Sequence, residues 1–254
     1  MSGLVWRSTH DDLTGMLATT PGTVADVVAT LAGLQGVLES LTPKDDDNPV
    51  ADFNRLYHTI TAMILARLEH DGFEDPEFLT LLDVEFARRY FDALRLWSVA
   101  SPETPQTWMV LFRRVDDDVR SLPAAAAGVN AHINYDLPFA LLTTWEQLRS
   151  SPANERQYRD YLLVNEVFAD AIPGLRRGYL ERWQHYFDRL NGGLDDWYQN
   201  RLVEFTRGLA WQSGERLWLV RNDLSALRTA RKSLDRNAAL LGRALLSPFL
   251  SLLQ

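Results

Sequence analysis

Residues 128–138, Gly-Val-Asn-Ala-His-Ile-Asn-Tyr-Asp-Leu-Pro, set Asn130, His132, Asn134 and Asp136 into a stretch otherwise apolar enough for a helical core. A buried polar group without a hydrogen bond costs about 1–3 kcal/mol. Four in one window are therefore expected to be paired or to serve a ligand. His132 and Asp136 are four apart, the spacing at which a carboxylate can orient an imidazole on one helical stripe. That pair suits general acid–base work. Asn130 and Asn134 are also four apart, but at 100° per residue their stripe points roughly the opposite way. All four line one pocket only if the helix breaks, and Pro138 supplies a reason for a break near Asn134 and Leu137. In that geometry His132 faces a cavity and Asn134 bonds backbone left open near Pro138. A plainer alternative makes Asp136 the N-cap of the next helix.

Three other polar residues fall on apolar stripes. Asp83 lies among Leu79, Leu82, Phe86, Ala87, Tyr90 and Leu94. Asn165 lies among Tyr158, Tyr161, Leu162, Phe168 and Ala169, and Arg207 among Val203, Ala210, Gly214 and Leu217. A structural ion pair between Asp83 and Arg207, with Asn165 bonded to a kinked backbone, would account for all three without a ligand. As a metal site the pattern is thin: His132, Asp136 and Asp83 are the candidate ligands for a divalent ion, from only two segments and without cysteine. The expectation is no metal and no cofactor. No phosphate-binding glycine loop or Gly-x-Ser-x-Gly elbow occurs, which sets aside nucleotide kinases and α/β-hydrolases.

These side chains must be positioned by helices. Apolar residues recur at three- and four-residue spacing and alternation of period two is scarce, so the chain reads as all-α, a single globular domain of about eight to ten helices with no sheet. Thr23 is a cap for a helix over about 24–41, and 42–49 reads as a solvated loop. Helices follow over about 50–70 and 75–98, then a short one with Trp108, Leu111 and Phe112. More are expected near 139–149, 154–171, 175–190, 195–220 and 224–245, with Pro173-Gly174 and Gly192-Gly193 as interruptions. Residues 1–22 form a candidate flexible N-terminal segment. The apolar stretch Leu240 to Leu253, broken by Pro248, could dock on the body, touch a membrane or form a homodimer contact.

Composition narrows the function classes. The chain has 254 residues, 46% hydrophobic and 24% charged, with a formal net charge of −8 and no cysteine. The acidic balance argues against nucleic acid as a partner. No apolar run approaches the roughly 18 residues of a membrane span, and no secretion signal opens the sequence. The expected location is the cytoplasm.

The blocks Phe53-Asn54-Arg55-Leu56-Tyr57, Leu82-Asp83-Val84 with Phe86 and Tyr90, and Asn130-Ala131-His132-Ile133-Asn134-x-Asp136-Leu137-Pro138 resemble a family of mainly actinobacterial proteins known only as a domain of unknown function, DUF5995. Tyr161 to Asn165 and Arg207 with Ala210-Trp211 resemble its later blocks. The resemblance spans most of the chain. It implies an all-helical single domain, nominates Asp83, Asn130, His132, Asn134, Asp136 and Asn165, and implies no reaction. Pro173-Gly174 departs from it, standing where the family pattern has a continuous helix.

Two functional readings follow. One is an enzyme, in the manner of secondary metabolism, acting on a small, largely apolar molecule by hydrolysis, isomerisation or cyclisation. His132, Asp136 and Asp83 would be its catalytic groups, with Tyr57, Tyr90, Asn130, Asn134, Asn165 and Arg207 binding the ligand. The other is a non-catalytic binding or structural domain whose polar network fixes helix register. A metal-dependent hydrolase or oxygenase is a further alternative.

Overall fold

A computed structural model describes residues 11–41, 48–70, 72–115, 121–187 and 196–247. Among the described residues there are helices and no strand. They are α1 (Val24–Glu39), α2 (Pro49–Glu69), α3 (Pro76–Ser98), α4 (Gln106–Phe112), α5 (Ser121–Ala131), α6 (Leu137–Gln147), α7 (Glu155–Phe187), α8 (Asp196–Leu219) and α9 (Leu224–Leu245), with a π-helical turn, His132–Asp136, between α5 and α6. Most of the solvated loop expected at 42–49, the Gly192-Gly193 break and the chain beyond 247 lie outside the described residues. Of the N-terminal segment, residues 11–16 are helical, and Leu13 and Leu17 are buried in the core.

Local chemistry sets the helix starts. Thr23 caps α1 in a reciprocal box with Asp26. Asn48 accepts from the backbone N–H groups of Val50 and Ala51 to start α2, while its amide donates to Leu38 O at 2.6 Å. Asp75 caps α3 ahead of Pro76. At the other end of α2, His70 stacks its polarity on the helix terminus, with Nδ1 2.7 Å from Ala66 O.

One expected boundary is absent. α7 runs unbroken from Glu155 to Phe187, through Pro173-Gly174. A proline inside a helix deletes one backbone donor, a local loss that kinks or breaks a helix only when the rest of its hydrogen bonds and packing do not outweigh it. Tyr158 and Leu162, placed on the inward stripe by spacing, are each 41% exposed, and the buried stripe of α7 is Tyr161, Val164, Val167 and Ala171.

The core has two large apolar clusters. One gathers α1, the N-terminal half of α2, α4, α5 and the C-terminal half of α3 around Trp108, Tyr90 and Phe53. The other gathers the rest of α2 and α3 with α6, α7 and α8 around Trp145, Trp211 and Tyr161. Phe86 and Val129 pack against both. The window around His132 therefore sits at the seam of the core.

Candidate functional site

The helix through residues 128–138 widens instead of breaking. Leu137 N–H donates to His132 O, five residues back, which is the π-helical bond. Pro138 has no N–H to offer the ladder, so one extra residue is accommodated just where a donor is missing. The wider turn keeps the i, i+4 relation of both polar pairs. His132 Nδ1 lies 2.9 Å from Asp136 Oδ2, both residues being buried. Asn134 Nδ2 donates to Asn130 Oδ1 at 3.0 Å, not to backbone near Pro138, and Asn130 Nδ2 donates to Ala238 O of α9 at 2.8 Å. The two asparagines thus dock α9. Asp136 precedes α6 but makes no side-chain cap bond. Its Oδ2 instead accepts from Trp108 Nε1 at 3.0 Å, and that indole belongs to α4, which the spacing in the window could not point to.

Aromatic rings fix the imidazole. Phe86 stacks on it with centroids 3.4 Å apart and planes 8° from parallel. Tyr57 meets it edge-on at 4.5 Å, with Phe53 and Trp108 each at 5.8 Å. With Asp136 Oδ2 already receiving the indole N–H, the consistent assignment has His132 donating from Nδ1 to the carboxylate, leaving Nε2 with its lone pair. Nε2 is buried and has no hydrogen-bond partner among the described residues. Burial pulls the His132 imidazole below its ordinary range, partly opposed by Asp136. Burial pushes Asp136 up, with the His132 and Trp108 N–H groups and the Arg89 cation pulling it back.

His132 lines a cavity of about 60 Å³ whose wall also carries Asp83, Tyr57, Arg207, Phe86 and Phe168, with Ile60, Ile64, Leu79 and Val164. Asp83 is 6% exposed, its Oδ2 has no partner, and burial alone raises its carboxyl to about 7. The expected Asp83–Arg207 ion pair does not form. Arg207 Nη2 donates to Tyr161 O and Nε to Asn165 Oδ1, each at 2.8 Å, with the guanidinium 4.2 Å above the Tyr161 ring. Tyr161 Oη returns a hydrogen bond to Arg207 O at 2.7 Å. These local partners on α7 satisfy the cation, so Asn165 serves Arg207 and not a kinked backbone.

The cavity thus brings together His132, Asp83, Tyr57 and Arg207. Asp136 stands behind His132, Asn165 behind Arg207, and Tyr90 packs between Phe53 and Trp108, off the cavity wall. Asn130 and Asn134 are engaged elsewhere. Among the described residues no three His, Asp or Glu side chains are grouped as metal ligands. Thr61 and Trp108 were not singled out by spacing. Thr61 bears a buried hydroxyl beside that of Tyr57, and neither residue breaks the apolar pattern strongly enough to draw notice.

Fold and site define an all-helical protein with a buried, carboxylate-oriented histidine on a π-turn facing an apolar cavity. The chain belongs to the family of unknown function DUF5995, whose profile matches residues 24–248. No curated protein and no solved structure matches it. Among the described residues no helix is long and apolar enough to cross a membrane.

Proposed function

We propose that the protein is an enzyme that moves protons on a small, largely apolar molecule held in the His132 cavity, by isomerisation or cyclisation. The observation that carries this reading is the unpartnered Nε2 of a buried, neutral His132 whose other nitrogen is held by Asp136. Such an imidazole is a base awaiting a proton donor that the described residues do not supply. Asp83, with a carboxyl near 7, is able to hold a proton at neutral pH and return it at another atom of the same ligand. Arg207 adds a fixed positive charge at the wall, suited to negative charge developing on a carbonyl or similar oxygen. A base, an acid and a cation around an apolar space fit relocation of a proton better than hydrolysis, which also needs a held water. Asp136 is a positioning residue in this scheme, and Tyr57 shapes the space beside the imidazole.

The test needs no knowledge of the natural substrate. Small apolar ketones and enones incubated in D2O with the protein should exchange the protons beside the carbonyl, and His132→Gln should slow that exchange by about a hundredfold or more. Exchange should fall on the alkaline side near pH 7 if protonated Asp83 takes part. A second reading rests on the size of the cavity, about 60 Å³, small for a metabolite in a rigid chain. There the same groups form a non-catalytic network that fixes helix register. No exchange with any probe, and no shift of the His132 ring signals on adding them, is the result that favours it.

A further inference from the structure

A second cavity shares no lining residue with the first. About 490 Å³ in volume, it is walled by Arg89 of α3, Phe139, Leu142 and Thr143 of α6, and Leu224, Leu227, Arg228 and Arg231 of α9. In a chain of net charge −8, three guanidinium groups converge here. No carboxylate lies within 4 Å of any of them among the described residues. Arg89 Nη2 donates to Phe139 O at 2.8 Å and Thr143 Oγ1 at 2.9 Å, while its Nε is buried with no partner. Arg89 and Arg231 both face the Phe139 ring, at 5.5 and 5.0 Å from its centroid. Arg228 is held near the rim by its bond from Nε to Leu224 O.

We infer that this cavity is a binding site for an oxyanion, carboxylate or phosphate, carried on a small apolar body. Arg89 and Arg231 repel each other here, Asp136 and Glu85 offset part of the Arg89 charge, and a bound anion relieves the remainder. A planar guanidinium fork matches the oxygens of carboxylate and phosphate. The Thr143 hydroxyl accepts from Arg89 and donates its own proton to Phe139 O at 3.0 Å, so it holds the Arg89 guanidinium in place beside the cavity. Phe139, Leu142, Leu224 and Leu227 would cover the apolar part, and Leu224, 70% exposed in the empty protein, gains most from a ligand. The inference does not depend on the chemistry proposed for His132.

Calorimetric titration of the full chain with inorganic phosphate, hexanoate and hexyl phosphate tests it. One equivalent of at least one probe should bind saturably, and Arg228→Gln and Arg231→Gln should each weaken it about tenfold. Both residues are exposed, so folding is not at stake; Arg95→Gln, which removes an exposed arginine paired with Asp92, should leave binding unchanged. Tighter binding of hexyl phosphate or hexanoate than of inorganic phosphate would assign an amphiphilic ligand; equal binding would assign free phosphate. His132→Gln should leave all three affinities unchanged, which separates this site from the catalytic reading. No saturable binding of any probe, or the same loss in Arg95→Gln, overturns it.

Discussion

Asp83 and Arg207 share a cavity wall without neutralising each other, and that decides what each is worth. The Asp83 carboxyl titrates near 7 in the folded chain, against 3.8 for an ordinary aspartate. Between those values the native state holds more protons than the unfolded one. Stability from this group is therefore full below about pH 4 and falls as pH rises through 7, by roughly 4 kcal/mol at most. Asp83→Asn should flatten that dependence and raise the melting temperature at pH 8, as read by thermal unfolding across pH 4–8; a large loss there would mean that Asp83 does hold a cation. Arg207 depends on its neighbours on α7. Asn165→Leu should strand Nε and cost about 1–3 kcal/mol in denaturant unfolding. Trp108→Phe removes one donor from buried Asp136 and should cost a similar amount, about 1–3 kcal/mol. A neutral result would show that the indole bond is dispensable.

At the scale of elements, the site depends on how closely α5 approaches α2. A Cβ on Gly128 would sit 2.4 Å from the Phe53 ring and 2.8 Å from its Cβ, and Phe53 is fixed between Tyr90, Trp108 and His132. With near-backbone atoms in the way, the ring cannot swing clear. Gly128→Ala should therefore cost about 1–3 kcal/mol in equilibrium unfolding, as overpacking does; an unchanged midpoint would show that α5 has slack. The inward placement of Asp83, Arg207 and His132 was legible from helical spacing, because a polar residue on an apolar stripe is visible without a structure. Their partners were not. A proline signals a missing donor but not whether the helix breaks or widens there, so Pro138 suggested a break where the chain forms a π-turn. Arg207 finds its acceptors on α7, and Asp136 finds Trp108 28 residues away, contacts that only tertiary packing creates. Pro173-Gly174 carried a strong local signal that a 33-residue helix overrides.

For the whole molecule, two apolar clusters meet at Phe86 and Val129, and the imidazole is stacked on Phe86 at that seam. The core therefore buries His132 against a stacked ring, and that burial favours the neutral imidazole. Nitrogen-15 NMR of the histidine rings, with the His132 signals assigned by their loss in His132→Gln, tests this directly. The account predicts a neutral ring protonated on Nδ1, with Nε2 bearing a lone pair at pH 7 and staying unprotonated below the ordinary histidine value of 6.5. A ring that is charged at pH 7, or whose proton sits on Nε2, would contradict it.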